Sequence, residues 1–275
     1  MTNAPTDTTE RDREDTDTKA VRVEQRGPVI WIHLARPAAM NALNDAVLDG
    51  IEAALHRSLE IGAKSVVITG EGRAFCAGAD LKFVQGALAD PTSLTSFLER
   101  AGSVFRAVET HRLPVIAAVN GLAIAGGLEL ALACDFVVAS ASAKLADGHA
   151  TFGLFPGAGG AVRLPRRIGS ARAKLLLFSG QSRTAAELEA WGLVDVVAPD
   201  DALEQTAQAL AEEIASRSPV GVARMKQVVN EQDTLPIDRA LRLELDACQL
   251  HLGSEDVAEG LAAFAEHRTP QFPGR

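Results

Sequence analysis

The chain has 275 residues, 47% of them hydrophobic, and a formal net charge of −9 from 36 acidic and 27 basic side chains. That acidic balance argues against a nucleic-acid partner, and no apolar run is long enough to cross a bilayer. The length suits one sizeable domain with a well-filled core.

Residues 1–19 are rich in Thr and Asp and nearly devoid of apolar side chains, so they are predicted to be a disordered tail. The segment lacks a signal peptide's apolar stretch and is too acidic for a transit peptide. Order begins with Val21–Gln25, a Gly27-Pro28 turn and Val29–Leu34, which together predict a β-hairpin. The pair Asn44-Asp45 offers a cap for an amphipathic helix to about Glu60, with Val47, Leu48, Ile51, Leu55 and Leu59 at helical spacing.

Two glycine-containing elbows follow, Ala74–Lys82 and Ala125–Glu129. The first is led by the strand pattern Ser65–Thr69 and the second by Pro114–Asn120, with a helix predicted at about 92–110 between them. A strand that turns through small residues into a helix leaves N–H groups with no intrahelical partner. Two such donors aimed at one point make an oxyanion hole, the device that stabilises a thioester enolate. Cys76, inside the first elbow, is either a nucleophile or a small space-filler, and the absence of an evident base beside it favours the second.

Further strands are predicted at Cys134–Ala139 and Ala143–Ala146, then a loop Gly153–Gly160 leading into a helix at 161–168. From Ala171 onward the pattern is nearly all helical. The fold class is therefore α/β, with a core over 20–200 and a helical region over 201–275. Cys76, Cys134 and Cys248 lie in unrelated contexts, which predicts neither a disulfide framework nor a metal site, and a reducing cytoplasm as the setting.

Read together, several stretches resemble the crotonase (enoyl-CoA hydratase/isomerase) superfamily. They are Arg36-Pro37 with Asn41-Ala42-Leu43, Val67–Lys82, Ile116–Gly121, Gly126–Leu130, Cys134-Asp135, and Phe155–Gly160 with Arg163-Leu164. The C-terminal Glu259-Gly260-Leu261, Arg268-Thr269-Pro270, Phe272 and Gly274 follow the same habit. The resemblance covers about residues 20–275. It implies a spiral of β-β-α units with a helical C-terminal trimerisation region, assembled as a homotrimer or a dimer of trimers. It also implies an acyl-CoA thioester as substrate, with coenzyme A as part of that substrate and no separate cofactor.

By position, the resemblance makes the N–H groups of Ala79 and Gly126 the oxyanion hole. The run Ala77, Ala79, Asp80, Leu81 and Lys82 would border the pantetheine and nucleotide. Lys82, Arg36 and Arg268, the last from a neighbouring subunit, are the candidates for the CoA phosphates. Glu129 matches the first of two glutamates that hydratases of this family place around water. The second register, seven residues before Pro156, holds His149 instead, with Asp147 as a group that could orient its ring. Two residues apart on a strand is roughly 6–7 Å, so their contact would need a bend.

Four readings follow from the resemblance. One is a hydratase using Glu129 with His149; another is an isomerase using Glu129 alone. A third is a β-diketone or β-keto hydrolase using His149, although Ala158 stands where such relatives carry an aspartate. The fourth is a non-catalytic CoA-ester binder. The pocket wall is expected from Phe83, Val84, Leu88, Phe97, Phe152 and Phe155.

Overall fold

Val21–Arg26 (β1) and Val29–Leu34 (β2) pair antiparallel across Gly27-Pro28, as the sequence predicts. The structure is a computed structural model that describes residues 20–80, 84–86 and 91–275. Asn44 caps the first helix, Asp45–Glu60 (α1), its side-chain oxygen accepting from the Val47 N–H at 3.0 Å. Every residue of Ser65–Gly70 (β3) is buried, the mark of a strand covered on both faces.

A two-strand rhythm then organises the chain. Each long strand is followed by a short one that joins a second sheet. Thus β3 precedes Ala74–Cys76 (β4), and Val115–Val119 (β5) precedes Leu122–Ile124 (β6). Phe136–Ser140 (β7) likewise precedes Lys144–Ala146 (β8). Helices Pro91–Glu109 (α2) and Gly126–Ala133 (α3) complete two of these β-β-α units. The sequence reading ran each long strand directly into its elbow. The structure inserts β4 and β6, three residues each, which are too short to leave a periodic signal.

The remaining elements are Gly160–Ile168 (α4), Ser170–Ser179 (α5), Arg183–Thr184 (β9), Ala185–Glu189 (α6) and Val196–Ala198 (β10). After them come Leu203–Ala215 (α7), Pro219–Gln232 (α8), Ile237–Leu252 (α9) and Glu255–Glu266 (α10). The region after Ala171 is therefore not all helical. β10 extends the large sheet, parallel to β7, and β9 closes the small one, antiparallel to β8. The sheet orders are β1-β2-β3-β5-β7-β10 and β4-β6-β8-β9.

The large sheet buries both faces. One carries Ile30, Ile32, Ile68 and Val119 into the main core. The other presents Val29, Trp31, Val67 and Ile116 to Leu203, Ala207 and Ala211 of α7. The four-residue spacing of those three puts them on one helix face, and the two alanines let the helix lie close. Trp31 Nε1 donates to Gln208 Oε1 at 2.6 Å, fixing α7 in register. Helices α8 to α10 instead expose Met225, Val229, Ile237, Leu241, Leu250 and Phe264.

His111, at the end of α2, is buried with Nε2 3.1 Å from Ser58 Oγ. Burial, with smaller repulsion from Lys226 and His56, pulls its pKa down from 6.5 to about 4. The unfolded chain takes this proton near its ordinary value while the folded chain refuses it until about 4. Stability therefore falls as pH drops through that window, by up to about 3 kcal/mol from this group. In urea denaturation at stepped pH, His111→Gln is expected to lose that part of the slope; an unchanged slope would contradict the assignment.

Candidate active site

The first elbow is held from behind. Asn41, fully buried, donates through Nδ2 to Ala74 O at 2.7 Å and Glu71 O at 2.9 Å, and its Oδ1 accepts from Arg36 N at 2.9 Å. These bonds lay the 36–43 segment beside the elbow, where Leu43 makes a parallel bridge to Ala79. Leu43 N donates to Gly78 O at 2.8 Å and Asp80 N to Leu43 O at 3.0 Å. In a parallel bridge the residue opposite such a pair turns its own N–H the other way. Ala79 N–H accordingly donates to no carbonyl among the described residues.

The second elbow is built under strain. Ala125 takes φ 52° and ψ −117°, a region L-residues with a side chain seldom occupy, at a cost on the order of 1–3 kcal/mol. Its N–H is tied to Ala146 O at 3.0 Å, and its carbonyl accepts from Glu129 N at 2.9 Å. Gly126 thereby opens α3 with its N–H unused among the described residues. The two elbows touch. A Cβ on Gly127 would stand 2.0 Å from Cys76 O, so only glycine allows this approach. A Cβ on Gly126 would lie 3.7 Å from Ala79 N, and one on Gly78 would lie 3.3 Å from Gly126 N. Two free amides thus share one small space at the mouth of a helix, where the dipole also favours negative charge.

Glu129, one turn into α3 and 2% exposed, lies on the same side of the helix as Gly126. Its Oε1 accepts from Ala158 N at 2.9 Å and from Gly160 N at 2.8 Å. Those donors come from the Pro156–Gly160 loop and the start of α4. Arg163 braces this loop: it donates to Ala158 O at 2.9 Å and pairs with Glu109 at 3.0 Å. A buried carboxylate with one oxygen saturated by amides is held rigidly and keeps its other oxygen for chemistry.

His149 does not sit on an extended strand. The strand β8 ends at Ala146, Gly148 turns left-handed at φ 72°, and a single 3-10 turn begins at His149. The bend removes the separation expected for a straight strand: His149 Nδ1 is 3.1 Å from Asp147 Oδ1. Burial pulls the imidazole pKa down, but the hydrogen bond and charge of Asp147, aided by the charge of Glu129, hold it above 6.5. Asp147 is 1% exposed. Its Oδ2 and Glu129 Oε1 lie 3.3 and 3.2 Å from the Cβ position of Gly160. The absent side chain at residue 160 therefore leaves room for both acidic groups beside the backbone there, next to Pro156 Cβ at 3.2 Å.

Other candidates fare differently. Asp80 accepts from Arg36 Nη2 at 3.0 Å, and Arg36 also donates to Ala42 O at 2.5 Å, so this cation is engaged beside the first elbow. Ala77 N donates to Met40 O at 3.0 Å, which commits it to the scaffold. Arg268 is paired with Glu259 and Glu266, both at 2.6 Å, on the C-terminal segment, and the structure does not bring it to this cluster. Leu81, Lys82, Phe83 and Leu88 lie outside the described residues.

Phe97 packs in the core rather than in a pocket wall, whereas Phe152 and Phe155 are exposed beside the site. Cys76 is no nucleophile: burial pushes its thiol up to about 12. Among the described residues no group of three or more His, Cys, Asp or Glu side chains could hold a metal. The Ala158 and Gly160 donors, the Arg163 brace and the close approach at Gly127 escaped sequence reasoning, although the glycine run before α4 was visible.

Comparison with known proteins supplies the family. Residues 24–275 match the family model for enoyl-CoA hydratase/isomerase. A probable enoyl-CoA hydratase of Rhizobium meliloti is 41% identical over 255 residues, covering 92% of this chain and 97% of that one. The 2,3-dehydroadipyl-CoA hydratase of Escherichia coli is 37% identical, covering 92% and 98%. The crystal structure of an enoyl-CoA hydratase from Bacillus anthracis superposes with a TM-score of 0.90 at 37% identity, covering 93% of this chain and all of that one. With two unused amides close together at the mouth of α3, and matches that run nearly end to end, the chain belongs to the enoyl-CoA hydratase/isomerase family.

Proposed function

We propose that this chain is an enoyl-CoA hydratase, a lyase that adds water across the double bond of a 2-enoyl-CoA thioester. The observation that carries the reading is the meeting of the Ala79 and Gly126 amides beside a buried, rigidly held Glu129. As water oxygen bonds to C3, electron density moves through C2 and the carbonyl carbon onto the thioester oxygen, where the two N–H groups receive it. Each such donor supplies roughly 3–4 kcal/mol of transition-state stabilisation. Glu129 takes the water's proton, and the imidazolium of His149 delivers one to C2, so the sum is addition of H and OH. The hydrogen bond and charge of Asp147 raise the imidazole pKa, which favours the donating form. No step calls for a metal or a separate cofactor.

The CoA phosphates are assigned to Lys82 and, from a neighbouring subunit, Arg268. The exposed apolar side chains of α8 to α10 support a homotrimer or a dimer of trimers. Free cysteines throughout support a reducing cytoplasm. No helix among the described residues is long and apolar enough to cross a membrane.

The test is mass spectrometry of products from short, long and aromatic enoyl-CoA esters in oxygen-18 water. Label at C3 is expected; an isomerised product without label identifies an isomerase, and no product from any ester leaves a binding protein. His149→Ala adds a second discrimination. A hydratase of this design loses about 10²-fold in kcat, and the loss of rate seen in the parent as pH rises through the His149 pKa disappears. Unchanged kcat would show Glu129 working alone.

A further inference from the structure

Glu129 is held by a stretch of chain with little stiffness of its own. The amides on its Oε1 belong to Ala158 and Gly160, at 2.9 and 2.8 Å. They lie in Gly157-Ala158-Gly159-Gly160, where no side chain is larger than a methyl. Glycine leaves a backbone many conformations, so a group outside the run has to fix it. Arg163 is that group. Its Nη1 donates at 2.9 Å to Ala158 O, which belongs to the peptide between the two donors.

Room for this contact is built into the loop. Gly159 takes φ 115°, and a Cβ there would stand 2.0 Å from Arg163 Nη1 and 3.1 Å from Cζ. The guanidinium thus occupies the place a side chain at 159 would need. Its far side is gripped by Glu109, through Nε to Oε1 at 3.3 Å and Nη2 to Oε2 at 3.0 Å, the two-pronged pairing that gives arginine its geometric specificity.

Glu109 closes α2, an end where the helix dipole disfavours negative charge. Two cations offset that, Arg163 and, at 2.8 Å, Arg106. Burial works against ionisation, yet the hydrogen bonds of Arg163 and Arg106 hold the Glu109 carboxyl below the ordinary glutamate range. Asn230 of α8 donates to Glu109 O at 3.0 Å and ties the helix end down. A continuous line of bonds therefore runs from α8 through Glu109, Arg163 and the Ala158 peptide to the reacting carboxylate.

From this we infer that Arg163, anchored by Glu109, is a positioning residue for Glu129: by fixing the Ala158–Gly159 peptide it sets the two amides that decide where the carboxylate stands. Arg163 reaches the chemistry only through the loop. The inference rests on the reading above, in which Glu129 is the acid–base group.

Crystal structures of the parent and of Arg163→Gln decide the matter without activity. Loss of the guanidinium is expected to displace the 157–160 backbone and to move the Glu129 carboxylate by more than about 0.5 Å, the tolerance of a productive site. A carboxylate that keeps both amide bonds in its original place would overturn the proposal. A parent inactive on every enoyl-CoA sinks the hydratase reading alone, and this comparison still decides the positioning.

Kinetics supply the second arm. Arg163→Lys keeps the charge, but one ammonium cannot pair in two prongs with Glu109 and also reach Ala158 O. It is expected to lower kcat by about 10- to 10²-fold, with KM changed less than about threefold. In the Glu129→Gln background the same substitution is expected to change the residual kcat less than about twofold, because the group it positions no longer takes a proton. An equal loss in both backgrounds, or a raised KM with kcat unchanged, would overturn the proposal. Should the Arg163 variants fail to fold, Glu109→Gln loosens the same anchor more gently: a kcat lower by at least about threefold is expected, and an unchanged kcat would contradict the inference.

Discussion

Glu129→Gln is expected to lower kcat by about 10³-fold while leaving the affinity for a CoA ester within a few-fold of the parent. The magnitude is that of a lost general acid–base group, and the separation of kcat from binding follows from the geometry. A glutamine keeps an oxygen for the amides of Ala158 and Gly160, which now hold Oε1 at 2.9 and 2.8 Å. The loop therefore stays in place, and so does the hole beside it. What disappears is the ability to take a proton from water. Steady-state kinetics together with calorimetric binding of a non-reactive acyl-CoA read both quantities, and a variant with near-normal kcat would remove Glu129 from the mechanism.

Gly126→Ala is the second large effect, expected at about 10²-fold in kcat/KM, the range set by loss of one oxyanion donor. The added methyl would meet Leu43 Cδ1 at 2.7 Å and stand 3.7 Å from Ala79 N. The leucine terminus is the flexible end of a side chain and can turn aside. The amide belongs to a backbone bridged to Leu43 and cannot. The methyl thus takes ground that the thioester oxygen needs, without a large penalty to the fold. A kcat/KM within threefold of the parent, in a variant that melts normally, would show that the oxygen lies elsewhere.

The elbows were legible in the sequence because backbone geometry there forces residue type. Gly127 has Cys76 O at its Cβ position, and Gly78 takes φ 92°, so neither tolerates a side chain. Glu129 was legible because a carboxylate among Ala, Gly and Leu is costly to bury without a role. His149 was legible only through its register. Its contact with Asp147 was not, since it depends on a left-handed Gly148 and a 3-10 turn that end the strand one residue before Asp147. The strands β4, β6, β9 and β10 escaped for the same kind of reason: two or three residues carry no alternation, and pairing with distant neighbours decides them. Ala125 points the other way, since nothing in its identity announces the strained φ of 52° that frees the Gly126 amide.

The most direct measurement is a crystal structure with a slowly reacting acyl-CoA thioester bound. The account predicts the thioester carbonyl oxygen within about 3.2 Å of both Ala79 N and Gly126 N, with C3 facing Glu129. A carbonyl oxygen that meets neither nitrogen, in a complex where the acyl chain is ordered, would contradict it.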